Sequence, residues 1–345
     1  MFFKGIFISY GGIIIFDEEY FDDKKEYFKM DSFKFENGEI LKDAVVEYMT
    51  VGTPKYDGEG NIVNAIVYCH GSLGNFSSIK KIFPISNKGD VFDLDKYFFI
   101  CISQLGSPGS CSPSSTQLKN KFPKYSIRDV SNFQVQFLKE KFNLNHILGL
   151  IGNSMGGFVG LSLAIDFPDF ADFIICGVSS FKVAGHDYIL SSFVNEIIES
   201  DPDYNRGEVT YSLNRTLRLA CLAEFNFGLS KKALRDKSNA ELAFEFDEFG
   251  NESLQLDIFD LKYCNESCMN FDVENQLYRI KSKVLIISCN QDPHFPPELD
   301  GIPMSKMIED SELIIMDSDL GHLCFDDLES ISSNLSEFMG QFDDC

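Results

Sequence analysis

Tryptophan is absent from this chain of 345 residues, histidine occurs five times, and Lys and Arg (30) fall well short of Asp and Glu (53). The shortage of basic residues leaves a formal net charge of −23. Neutralising a phosphate backbone or an anionic bilayer takes clusters of Lys and Arg. None stands out, so nucleic acid and membrane surfaces are excluded as partners. The acidic residues are spread along the chain, which points to a self-repelling, soluble surface. No apolar run reaches the ~20 residues of a membrane-spanning helix, and repeats and low-complexity tracts are missing. The ten cysteines form no disulfide framework. Several lie in apolar runs such as Phe98-Phe-Ile-Cys-Ile102 and Ile286-Ile-Ser-Cys289, where Cys behaves as a small hydrophobe. A reducing, cytoplasmic setting is the expectation. Cys264-x-x-x-Cys268 lacks a second pair with ligand spacing, so no metal is expected.

What is present suits a large core: 44% hydrophobic residues, 34 of them Phe, and 24% charged. The length fits one large α/β domain carrying an insertion. Residues 1–30 form an N-terminal extension whose apolar stretch, Gly5 to Phe16, is followed by Asp17-Glu-Glu19 rather than a small-residue cleavage site. An added strand or docking segment is favoured over a signal peptide. Alternation around Asn37-Gly38 predicts an antiparallel hairpin over Phe33–Ile40 and Ala44–Val51. Buried strands follow at Val63–Cys69, Tyr97–Ser103, Leu148 onward and Phe173–Val178. Ser126-Ile-Arg-Asp129 caps an amphipathic helix. Residues 31–181 thus alternate strand and helix, the pattern of a mostly parallel sheet flanked by helices. Over residues 182–270 helical periodicity continues without a buried strand, which predicts a helical lid. Strands return at Val284–Ser288 and Glu312–Met316 and a helix closes the chain at Phe325–Phe342, so residues 271–345 complete the core.

The chemistry centres on Gly152-Asn-Ser-Met-Gly156, set between an apolar strand and the helical Phe158–Ala164. This is the G-x-S-x-G pattern of a nucleophile elbow, where a strained serine needs neighbours two residues away without side chains. The motif alone is cheap; its strand–turn–helix context gives it weight. Such a serine needs a carboxylate and then a histidine later in the chain. His322 follows the last strand and Asp292 follows the one before, so both fall at the carboxyl edge of the sheet with Ser154. Among the competing carboxylates Asp257, Asp317 and Asp319, none follows the penultimate strand so directly. His294, two residues from Asp292, is the rival histidine and is expected at the surface or mouth. The oxyanion site would use the backbone N–H of Met155 and of Ser72, with Leu73 as the neighbouring choice. His70 is expected as a packed turn residue.

Together these stretches resemble the homoserine O-acetyltransferase branch of the α/β-hydrolase superfamily. The resemblance rests on Asp95–Ile100, the loop Gly106–Ser115, Phe122-Pro to Arg128-Asp129, Gly152–Gly157, Phe167-Pro168, Asp201-Pro-Asp-Tyr-Asn-Arg-Gly207, Asp292–Pro297 and Gly321-His322, and it covers roughly residues 31 to 345. It implies an α/β-hydrolase fold and ping-pong acyl transfer through Ser154, with acyl-CoA as a donor substrate, a small hydroxyl compound as acceptor and no bound cofactor. It also implies a possible homodimer, and Arg218 as a lid arginine for a substrate carboxylate. Two departures bear on the acceptor. Family members carry Asp after the catalytic His, where this chain has Leu323, and the glycine-rich loop here reads Ser107-Pro-Gly-Ser-Cys111. Water therefore stays open as the acceptor, which would make the chain an esterase, and a catalytically inactive binding protein on the same fold is the remaining alternative.

Overall fold

A computed structural model describes residues 18–72 and 74–342. The expectations for residues 1–17, and for Leu73 as an oxyanion donor, lie outside the described residues. Eight strands form one sheet in the order β1-β2-β4-β3-β5-β6-β7-β8. They are β1 (Glu26–Lys34), β2 (Ile40–Gly52), β3 (Ala65–Cys69), β4 (Phe98–Ile102), β5 (Ile147–Asn153), β6 (Ala171–Gly177), β7 (Lys283–Cys289) and β8 (Ser311–Met316). β1 pairs antiparallel with β2, and β2 antiparallel with β4; every other pairing is parallel. The hairpin turns where Asn37-Gly38 placed it, with Gly38 at φ +90°. Its first strand starts earlier than the alternation suggested, at Glu26, so part of the 1–30 stretch is built into the sheet edge. β3, β4 and β5 are buried at every residue, as parallel strands covered on both faces must be.

Eleven α-helices accompany the sheet among the described residues: α1 (Glu18–Lys24), α2 (Ile127–Phe142), α3 (Met155–Asp166), α4 (His186–Glu199), α5 (Pro202–Arg206), α6 (Tyr211–Glu224), α7 (Lys231–Asp236), α8 (Asn239–Glu252), α9 (Ile258–Met269), α10 (Gly301–Met307) and α11 (Ser332–Met339). α2 opens on the reciprocal capping box of Ser126 and Asp129. One face of the sheet packs under α2, α3 and α10 through residues such as Phe133, Phe137, Phe158, Leu161 and Met304. The other face packs against Ile79, Ile82 and Phe83 and the C-terminal Leu335, Phe338 and Met339. The closing helix differs from the sequence expectation. Residues Gly321–Asp326 and Leu328–Ile331 are 3₁₀ turns, and α-helix begins only at Ser332. Asp327, at φ −121° and ψ 46°, steps off helical geometry and breaks the run.

Between β6 and β7 the chain is helical from α4 to α9, with a small core of its own that includes Val194, Ile198, Leu217 and Phe259. The two ends of this segment meet. Val183 N–H donates to Phe271 O and Val273 N–H to Phe181 O, both at 2.9 Å. No helix among the described residues is long and apolar enough to cross a membrane.

Candidate active site

Because β3, β5, β7 and β8 run parallel, their carboxyl ends share one edge, and the turns after them carry Ser72, Ser154, Asp292 and His322. Ser154 sits at φ 53° and ψ −122° between β5 and α3, a conformation that costs a residue with a side chain about 1–3 kcal/mol. The surroundings fix it. Ser154 N–H donates to Gly177 O at 2.9 Å, and Ser179 Oγ donates to Ser154 O at 2.9 Å. The flanking glycines are steric necessities: a Cβ on Gly152 would stand 2.2 Å from Gly156 O, and one on Gly156 2.1 Å from Cys69 O.

The elbow points Ser154 Oγ at His322, whose Nε2 accepts from it at 3.0 Å. His322 Nδ1–H donates to both carboxylate oxygens of Asp292, at 3.1 and 3.0 Å. Burial alone would push the Asp292 carboxyl up, but the His322 imidazole, aided by His294, holds it below the usual carboxylate range. Backbone N–H groups of His294 and Phe295 occupy its Oδ1 at 2.8 and 3.2 Å, which fixes the carboxylate plane. Ser154, His322 and Asp292 thus form one continuous hydrogen-bonded line.

Met155, the residue after Ser154, borders a small pocket of about 40 Å³ together with Ser72, Leu105, Ser107, Leu261 and Cys264. That is room for roughly three waters. Met155 is the first residue of α3, so its N–H has no acceptor within the helix. Gly71, next to Ser72, lies against the elbow, a Cβ there being 3.6 Å from Ser154 Cβ. Both expected oxyanion donors therefore border one cavity.

The sequence model of the family described as α/β hydrolase fold matches residues 64–327. The chain belongs to the α/β-hydrolase family. A protein named probable acyltransferase from Methanothermobacter thermautotrophicus is 41% identical over 314 residues, covering 91% of this chain and 97% of its own length. A homoserine O-acetyltransferase from Methanosalsum zhilinae is 27% identical, covering 79% of this chain and 63% of its own length. Among solved structures, an acetylester hydrolase from Corynebacterium glutamicum matches with a TM-score of 0.80 at 24% identity, covering 92% of this chain and 96% of that one. This likeness shows the shared α/β-hydrolase fold.

Within that α/β-hydrolase frame the other candidates take definite places. Arg218, on α6, donates to Asp247 Oδ1 of α8 at 2.6 Å and packs over Gly250, so its charge is used inside the helical segment. Leu323 is 42% exposed. The backbone beside it is clamped, His322 N–H donating to Gly228 O at 2.9 Å and Ser230 N–H to Asp319 O at 3.2 Å. Cys264 Sγ donates to Ser72 O at 3.3 Å and lies 3.6 Å from Met155 Sδ, which places it in the pocket wall. His70 is fully buried, and burial lowers its pKa to about 4. Its neutral ring donates from Nδ1 to Gly71 O at 2.6 Å and accepts from Gln104 N–H at Nε2 at 3.0 Å, bracing the turn that carries Ser72.

His294, expected at the surface or mouth, is partly buried and stands beside His322 rather than out on the open surface. Its ring is wedged between Phe227, at 4.9 Å between centroids, and His322, at 4.6 Å. The sequence reading missed Asp187 and Glu224, which face this ring from α4 and α6. No local spacing signals them, because they reach the site only through the packing of the helical segment.

Proposed function

We propose that the chain is a serine-nucleophile acyl-transfer enzyme that forms an acyl-Ser154 intermediate. The observation that carries the reading is the line from Ser154 Oγ through His322 to Asp292, every contact within 3.1 Å. In this mechanism Ser154 Oγ attacks the acyl carbonyl while its proton passes to His322 Nε2. Asp292 holds the tautomer that leaves Nε2 free and balances the imidazolium that forms. The N–H groups of Met155 and Ser72 stabilise the oxyanion. Collapse expels the thiol or alcohol, which takes the proton from His322. An acceptor hydroxyl then repeats the sequence in reverse, losing its proton to His322 and its lone pair to the acyl carbon.

The size of the pocket supports a short acyl group, of acetyl dimensions. Acyl transfer from acyl-CoA or an ester to a small alcohol agrees with the names of the relatives above. Hydrolysis is the second reading, favoured by one observation: the partly exposed Leu323 offers no charge to a polar acceptor. Acetyl-CoA with a panel of alcohols, run beside p-nitrophenyl acetate, separates the two. CoA release that depends on an added alcohol supports transfer; ester cleavage indifferent to both acetyl-CoA and alcohols overturns it in favour of hydrolysis. Loss of both activities in Ser154→Ala is expected.

A further inference from the structure

His294 presents a second imidazole against the proposed base, and its surroundings are unusual for a bystander. Nδ1 lies 2.7 Å from Asp187 Oδ1, and Nε2 lies 3.9 Å from Glu224 Oε2. A neutral imidazole has one N–H and one lone pair, and a lone pair facing a carboxylate is repelled. Asp187 on Nδ1 holds one N–H, and Glu224, whose carboxyl burial pushes up while His294 pulls it back down, faces Nε2 and favours a second, the arrangement of an imidazolium. Burial opposes that charge, but Asp187, Glu224 and Asp292 outweigh it and raise the proton affinity of His294. Phe227 and Phe295 close over the ring, 4.9 and 5.7 Å away, so the charge is poorly screened by solvent.

We propose that His294, a cation held by Asp187 and Glu224 at 4.6 Å from the His322 ring, is a positioning residue that sets how readily His322 takes the proton of Ser154. The inference rests on the triad reading above. A cation beside His322 opposes its protonation, and the two carboxylates temper that opposition. The same residue acts through its backbone, whose N–H holds Asp292 Oδ1. The charged groups around His294 are Asp187 from α4, Glu224 from α6, and Asp292 and His322 from the core turns. Beyond them Asp300 feels Asp187, Asp292 and Lys182. Because Asp187 and Glu224 belong to the helical segment, the position of that segment governs the balance.

One unit charge at 4.6 Å shifts a proton equilibrium by about 0.7 pH units in a water-like medium and by about 2.5 at an effective dielectric near 20. The readout is the second-order rate of Ser154 labelling by a fluorophosphonate as a function of pH, with Ser154→Ala as the blank. His294→Gln keeps a donor for Asp187 but removes the nearest cation, so the acidic limb of the profile should move up by at least about 0.5 pH units. Glu224→Gln removes a carboxylate while Asp187 still holds the His294 proton, so the limb should move down. Opposite shifts are what a charge effect requires; a packing defect would lower the plateau without that sign reversal. Limbs that stay at the wild-type pH in both variants, or move in the same direction, overturn the proposal. Wild type that is labelled no faster than Ser154→Ala at any pH overturns the triad reading, and this inference with it.

Discussion

Replacing Asp292 by Asn tests the proposed charge line with almost no change in shape. The two backbone N–H groups on Oδ1, from His294 and Phe295, dictate how the amide settles: its carbonyl oxygen must face them. Its NH₂ then takes the Oδ2 position, 3.0 Å from His322 Nδ1. A donor there favours an accepting Nδ1, against the 3.1 Å contact that Oδ1 still offers, and so shifts the ring proton toward Nε2. That nitrogen now points N–H at Ser154 Oγ and cannot take its proton. General-base help is worth about 10²–10⁴-fold, and the imidazolium also loses its anionic partner. A fall in kcat of about 10³–10⁴-fold is expected, or roughly 4–5.5 kcal/mol on the barrier. The assay is p-nitrophenyl acetate cleavage at the pH plateau, with the thermal transition recorded on the same samples. A variant that folds like wild type and keeps its rate within tenfold refutes the assignment of Asp292.

Gly156→Ala puts a Cβ 2.1 Å from Cys69 O and 2.7 Å from Cys69 C, backbone atoms that cannot swing aside. A loss of about 3 kcal/mol or more is expected, read as a lowered Tm. Cys264→Ala removes one sulfur from the wall of the acyl pocket. The ratio of p-nitrophenyl propionate to acetate cleavage, as kcat/KM, should rise about tenfold, the worth of one methylene; an unchanged ratio would move the acyl group elsewhere. Burial, aided by Asp187 and Asp292, raises the pKa of Asp300 to about 7. An unfolded Asp releases its proton near pH 4, so the native state binds the extra proton between about pH 4 and 7, and wild type loses stability as pH rises through that window. In urea unfolding, Asp300→Asn should therefore gain about 2–3 kcal/mol on wild type between pH 5 and pH 8, whereas a constant difference would rule the buried neutral carboxyl out.

Much of the core was legible because parallel strands leave a strong local signal. Ala65–Cys69, Phe98–Ile102 and Val284–Ile287 are apolar at every step, and only a strand covered on both faces needs that. Once strand ends are known, the order Ser154, Asp292, His322 follows from topology, and the structure brings the three side chains together. The glycines at 152 and 156 were legible for the same reason, since the elbow dictates them sterically. The C-terminal helix was less so. Leu328, Ile331, Leu335 and Phe338 have helical spacing and are all buried, yet 3₁₀ turns achieve the same burial, so periodicity alone does not separate them. Arg218 was out of reach, because its partner Asp247 lies on another helix and only the packing of α6 against α8 joins them.

The division between what could and could not be read follows the division of labour in the site. Reactive atoms are placed by the sheet edge, whose register is fixed by backbone pairing. The helical segment supplies Leu256, Asp257, Asp260, Leu261 and Cys264 to the pocket proposed for the acyl group, against Leu105 to Pro108 and Met155 from the core. The segment also holds the proposed base through Gly228 O on His322 N–H, and the neighbouring imidazole through Asp187 on His294. On the proposed reading, a change in its packing would alter which acyl group fits, with Ser154, His322 and Asp292 unchanged. The chain order Ser154, Asp292, His322, on which the proposed serine chemistry rests, is consequently the part that the sequence carries openly. The contacts of Asp187 and Glu224 with His294, by contrast, exist only once the helices have packed.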